Sequence, residues 1–242
     1  MKRNYRSVVR RREDLPDDVI HAMVDLYLEN FDGSSAALFR RDLADKDEAI
    51  LIYCDQQLVG FTTIQFIKII WQDSPAIIVY SGDTIVSPLH WGQQALSFAW
   101  IKRIGQVKQS APFTPLFWFL LVKGHRTYKY LSVFGKSFYP HWKESREDLK
   151  QLADQLASDK FGKDYDAAAG VVKFPISQGH LKKEIAHAST NEMKKEPIQF
   201  FFQKNPGYQV GHELVCICEL ELFNMKPLVG RLFQSDGEST SQ

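Results

Sequence analysis

Cysteine is scarce in this chain: Cys54, Cys216 and Cys218 are the whole supply among 242 residues. Three thiols build neither a disulfide framework nor a four-cysteine zinc site, so no metal is expected. Cys216 and Cys218 lie two apart in the run Leu214-Val215-Cys216-Ile217-Cys218, which places both on one face of a strand as buried thiols. A surplus of charge is missing as well. Thirty Lys and Arg stand against 29 Asp and Glu, a net of +1, whereas a dedicated nucleic-acid binder carries a basic excess to displace phosphate counterions. Nucleic acid is therefore not an expected partner. No apolar run approaches the roughly 20 residues of a membrane span, and the basic start shows no signal-peptide pattern. The chain is expected to be cytoplasmic, without membrane insertion.

What is present suits a substantial core. Hydrophobic residues make up 44% and aromatics 13%, enough for one large α/β domain. Residues 1–14, with Lys2, Arg3, Arg6, Arg10, Arg11 and Arg12, read as a solvated basic arm. A single domain is expected over 15–234, with a helical insertion at about 145–196 and a flexible polar tail at 235–242. Apolar spacing predicts helices over Pro16–Asn30 and from Ser35 to about Leu43. Ala49–Tyr53, Leu58–Ile70 and Ala76–Tyr80 read as an antiparallel meander, the last strand leading into Ser81–Val86. A helix from Trp91 to about Ile104 and a doubly buried strand at Leu116–Val122 follow. Further helices are expected from Arg126 or Thr127 to the break at Tyr139-Pro140, and over Ser145–Ser158. Ile198–Phe202 and Glu213–Leu222 read as a closing strand hairpin turned by Lys204-Asn205-Pro206-Gly207.

An antiparallel meander entering a strand–helix–strand unit resembles the GNAT acyl-CoA N-acyltransferase superfamily, and the likeness covers about residues 15–140. Ala49–Tyr53 with Leu58-Val59-Gly60-Phe61-Thr62-Thr63 resembles that family's second and third strands, and Tyr80–Pro88 its fourth. Phe134-Gly135 resembles the aromatic-glycine ending after its fourth helix. The resemblance implies a central mixed, mostly antiparallel sheet flanked by helices. It implies acetyl-CoA or another acyl-CoA as co-substrate, with the fourth strand, including Ile85 and Val86, lying along the pantetheine arm. The family's phosphate loop, Arg/Gln-x-x-Gly-x-Gly/Ala, aligns with His90-Trp91-Gly92-Gln93-Gln94-Ala95. Ala95 fits. His90 stands in the Arg/Gln place, Gln93 in that of the central glycine, and Gly92 comes one position early. The physical need is general: pyrophosphate is held by unpaired N–H groups at a helix N-terminus.

Acyl transfer to an amine needs a base for the incoming nitrogen and an acid for the departing thiolate. No glutamate occurs between Glu48 and Glu144, and Asp83 is the one acid at the end of the fourth strand, as a base or as a turn cap. The densest polar cluster is Lys123-Gly124-His125-Arg126-Thr127-Tyr128-Lys129-Tyr130. His125 titrates near neutrality. Tyr128 and Tyr130 are candidate proton donors or half-buried packing residues, and Arg126 with Lys129 offers charge to CoA phosphates or to an acidic group of the substrate. The resemblance implies direct transfer, in a ternary complex, to a small-molecule amine or a peptide amine. The alternative is a catalytically inactive GNAT-fold binding or regulatory protein, and a homodimer is compatible with either.

Overall fold

The computed structural model describes residues 3–235; the expected tail lies almost wholly outside the described residues. The strands are β1 (Tyr5–Arg11), β2 (Glu48–Cys54), β3 (Gln57–Trp71), β4 (Ser74–Val86), β5 (Leu116–Val122), β6 (Tyr165–Asp166), β7 (Val171–Val172) and β8 (Glu213–Glu219). They form one sheet in the order β1-β2-β3-β4-β5-β8-β7-β6. Every neighbouring pair is antiparallel except β4 and β5. Phe31–Asp32 and His180–Leu181 make a separate two-stranded ribbon. The helices are α1 (Asp17–Asn30), α2 (Ala36–Ala44), α3 (Ala95–Ser110), α4 (His125–Phe134), α5 (Glu147–Phe161), α6 (Lys183–Ala186), α7 (Glu196–Lys204) and α8 (Pro227–Gln234).

Strand alternation sorts the helices into two layers. Leu116, Trp118, Leu120 and Val122 of β5 join Leu96, Trp100, Leu131, Phe201 and Phe233 in one core, which holds α3, α4, α7 and α8. Phe117 and Phe119 point the other way, to Leu149, Leu152 and Leu156 of α5. On that same side of the sheet, Ala49, Leu51 and Phe61 meet Met23, Tyr27, Phe39 and Leu43 of α1 and α2. The unbroken apolar text of β5 thus reflects burial on both faces. Among the described residues no helix is long and apolar enough to cross a membrane.

Three expectations are corrected. The basic arm is no arm: Tyr5–Arg11 is an edge strand paired along its length with β2, from Tyr5 opposite Cys54 to Arg11 opposite Glu48. Its arginines are exposed, and Arg6 lies 5.4 Å from the Tyr53 ring centroid. Charge on a sheet edge is the usual guard against stray pairing, so basic text there does not signal disorder. Phe200-Phe201-Phe202 is helical, with Pro197 in the first turn of α7 and Ile198 and Phe201 buried at helical spacing. The closing hairpin therefore does not exist, and β8 pairs with β5 and β7. Finally, α4 stops at Phe134 instead of running to Tyr139-Pro140, because the chain is captured by β8. Tyr139 and Ile217 exchange backbone bonds at 2.8 Å each, and a side chain at Gly135 would meet Cys218 Sγ at 2.8 Å.

Candidate functional site

The site begins where a parallel ladder ends. β4 and β5 pair from Ile77–Leu116 to Ser81–Leu120, after which β4 continues to Val86 without β5 beside it. On its other edge β4 carries a bulge: Thr62 faces Thr84 and Ile64 faces Ser81, so Gly82 and Asp83 share the single residue Thr63. A bulge turns a strand and re-aims its side chains. Here it works only with glycine, since a β-carbon at Gly82 would be driven into Thr63 Oγ1 and Lys46 Cε. The opening between the strands is flanked by the starts of α3 and α4. Three cavities meet in it, and Thr84 and Thr127 line all three.

The first cleft, about 380 Å³, lies on the side of α3 and α4. Of the residues expected to bind cofactor, Ile85, Val86, Trp91, Gly92, Gln93 and Arg126 line it. His90, Gln94 and Ala95 do not. His90 turns to the edge strand, its Nδ1 3.1 Å from the Tyr5 hydroxyl. Gln94 is the N-cap of α3, and its carbonyl accepts from Phe98 N at 2.9 Å. The Gln93 side chain accepts from Ala95 N–H, one of the helix's unpaired donors. Gly92 has φ +88° and open space about its α-carbon, so the loop bends one residue earlier than the family pattern places its central glycine. Trp91 donates from Nε1 to Val86 O at 2.8 Å, and Arg126 packs 4.5 Å from a Trp91 ring centroid.

Residues 181–198 cover this cleft, contributing Leu181, Ile185, Glu192, Lys195 and Ile198. Arg126 fastens the cover: its guanidinium donates to Ile185 O and, at 3.4 Å, to His187 O, and stands 3.8 Å from Glu192. Glu192 accepts from Ser189 N and Oγ at 2.8 Å each. Those bonds, with Arg126 and His125 nearby, hold its carboxyl at about 2. His125 is buried, and neither ring nitrogen has a hydrogen-bond partner; Nε2 stands 3.5 Å from Glu192. Burial and then Arg126 lower its pKa, opposed by Glu192, so the ring is neutral at pH 7.

The two expected tyrosines separate. Tyr128 is fully buried, donates to Pro140 O at 2.8 Å and lines none of the three cavities. Tyr130 lines the first cleft and the narrow passage, and burial raises its phenol pKa. That passage is walled by Leu96, Trp100, Trp118, Leu120 and Phe134, which makes it apolar.

The second cleft, about 370 Å³, opens on the side of α1, α2 and α5. Asp83 lines it beside Asp42, Lys123 and Glu213. Burial raises the Asp83 carboxyl to about 6, with Lys123 and Lys46 opposing and Asp42 and Glu213 adding to the rise. Lys123 pairs with Glu213 at 3.2 Å. Burial pulls the Lys123 ammonium down, but Glu213, Tyr27 and Asp83 together leave it raised. Glu213 is itself raised by burial. Lys46, its side chain wholly buried, pairs with Asp42 at 2.7 Å. The sequence reading missed Glu213, Asp42 and Lys195. They come from β8, α2 and the segment before α7, and only sheet order brings the first of them next to the end of β5.

A phosphate-bearing acyl carrier fits the first cleft by its donor set. Arg126, Lys129 and Lys195 oppose one acid, Glu192, and Gly92 leaves backbone open at the start of α3. Among the described residues no group of three or more His, Cys, Asp and Glu could hold a metal.

No protein-family model matches the chain, and no curated protein matches it in sequence. Some solved structures show a partial likeness to it. A GNAT family N-acetyltransferase from Escherichia coli in complex with CoA is 15% identical over 55% of this chain and 71% of its own, with a TM-score of 0.39. A probable N-acyltransferase from Enterococcus faecalis is 12% identical over 89% of this chain and 71% of its own, with a TM-score of 0.43. An acyl-CoA N-acyltransferase from Pseudomonas aeruginosa is 15% identical over 54% of this chain and 88% of its own, with a TM-score of 0.37. Likeness at this level carries no weight for activity, which rests on the clefts themselves.

Proposed function

We propose that the protein is an acyl-CoA-dependent N-acyltransferase, taking acetyl-CoA or another acyl-CoA as donor and an amine as acceptor. The observation that carries this reading is the passage through the sheet. A cationic cleft on one side and an acid-lined cleft on the other meet at Thr84 and Thr127, where β4 and β5 part. Two reactants brought from opposite sides to one narrow opening gain the advantage of proximity without a covalent enzyme intermediate. The cysteines agree with direct transfer: all three are buried, and burial raises the thiols of Cys216 and Cys218, which disfavours thiolate.

The thioester supplies an electrophilic acyl carbon and a thiolate leaving group. Arg126, Lys129, Lys195 and the start of α3 hold the phosphates, and the apolar passage excludes water. The unpaired edge of β4 past Ser81 offers backbone N–H to the acyl oxygen. Asp83, with a carboxyl near 6, is mostly ionised at pH 7, draws the acceptor in and takes its proton. Tyr130 returns a proton to the sulfur.

Calorimetric titration with CoA, acetyl-CoA and longer acyl-CoAs, paired with a thiol-release assay over an amine panel, tests the reading. Saturable binding below about 1 mM and amine-dependent release of free thiol are expected. Absence of binding by every one of these ligands at millimolar concentration sinks it.

A further inference from the structure

Four charged residues that line the second cleft, Arg41, Asp45, Asp83 and Lys160, have no ion-pair partner among the described residues. Lys123 has Glu213 and Lys46 has Asp42, so each of these buried cations carries its own carboxylate. Asp83, at the parting of the strands, has no ion-pair partner among the described residues, and neither does Lys160 in the last turn of α5. The Lys160 ammonium lies 4.9 Å from the Tyr80 ring centroid, and the Lys46 ammonium lies 5.3 Å from the same centroid. Partial dehydration and then Lys46 disfavour the charged form of Lys160. Two cations gathered about one aromatic ring, one of them without a counter-ion, make a place where an added anion is welcome. At the mouth, Arg41 makes a single side-chain bond, to Gln178 at 3.3 Å. The wall between is aromatic, with Tyr80, Phe161 and Phe174. Asp42 and Asp45 favour the Lys160 ammonium from the same side, while Tyr80, which Lys160 overlies, and Asp83 are three residues apart on β4, about 10 Å along the strand.

We infer that the acceptor is an amine with a carboxylate at the far end of an apolar, ring-sized body. The ammonium goes to Asp83 at the opening in the sheet, the carboxylate to Lys160 with Arg41 beside it, and the body lies along Tyr80 and Phe161. A free α-amino acid, with both charges on one carbon, does not span the two ends. The inference rests on the acyltransferase reading for which end reacts, while the charge match is a property of binding alone.

Two amines of nearly equal shape separate the cases: 4-(aminomethyl)benzoate and 4-methylbenzylamine, with phenylalanine as a third. Each is titrated calorimetrically into the full chain, with and without CoA, and each is offered with acetyl-CoA in the thiol-release assay. The carboxylated amine is expected to bind at least about tenfold more tightly than its methyl analogue. Lys160→Met brings that ratio near one, Lys160→Arg keeps it, and CoA affinity is unchanged by either. Equal binding of the two amines, a ratio indifferent to Lys160→Met, or phenylalanine binding as well as the carboxylated amine overturns the inference. Should CoA fail to bind and no thiol be released, the acyltransferase reading falls, and the ratio of the two amines still decides this one.

Discussion

Asp83 sits where β4 carries one residue more than β3, and that local fault gives it a character the same residue in a regular strand would lack. Its carboxyl, lifted by burial to about 6, is protonated below that value and a carboxylate above it. A base must be deprotonated, so kcat/KM is expected to rise with pH through about 6, and Asp83→Asn to remove that limb and cost about 10²–10⁴-fold in kcat. A pH–rate profile of both proteins checks this; an inflection unmoved in the variant assigns the base elsewhere. Tyr128 makes the contrasting case. Tyr128→Phe leaves Pro140 O without its donor and should cost about 1–2 kcal/mol in denaturant unfolding, with kcat unchanged. The sequence distinguishes these residues poorly. Tyr128 and Tyr130 are two apart on one helix, and only the packing of Phe138, Phe200 and Phe201 around Tyr128 shows which hydroxyl is committed to structure.

At the scale of elements, local pattern was a good guide wherever neighbours agreed with it. The meander, α1 and α2 were legible because each has one clear apolar period, and β5 because an unbroken apolar run suits burial on both faces. α7 was not, since three consecutive phenylalanines suit a strand by propensity, and the contrary signal was Pro197 with a helical spacing of Ile198 and Phe201. The cover over the first cleft was legible only as part of an insertion at about 145–196, because it is held by single side chains and has little apolar periodicity. Glu192→Gln should loosen it, and hydrogen exchange over residues 182–195 is expected to quicken while β3 to β5 stay protected. The same loosening follows acidification. A carboxyl held at about 2, below the ordinary 4.5, stabilises the folded form above 4.5, and that contribution is lost as pH falls from 4.5 toward 2. Exchange in 182–195 indifferent to both changes would show that Arg126 holds the cover without Glu192.

For the whole molecule, the first strand and the last described helix are tied into the layers that carry the site. β1 extends the sheet and braces the loop before α3 through Tyr5 and His90, while α8 lies against α3 so closely that a β-carbon at Gly105 would be driven into Phe233 O. Gly105→Ala is expected to unseat α8 and to destabilise the protein by about 1–3 kcal/mol, read as a lower denaturant midpoint with faster exchange over 227–234. Neither tie was visible in sequence. Arginine-rich text looks like a tail until the exposed edge of β2 is known, and Gly105 looks like a weak point in a helix until Phe233 arrives. The order of strands is likewise a property of the whole, and it alone sets Glu213 beside Lys123.

The two clefts share a short wall of Phe31, Thr84, Gly124, Thr127 and Leu181, and this bears on turnover kinetics. Each ligand has its own doorway, so neither product has to wait for the other to leave. Initial rates measured against both substrates should give double-reciprocal lines that intersect, and each product should inhibit competitively against the substrate whose doorway it shares.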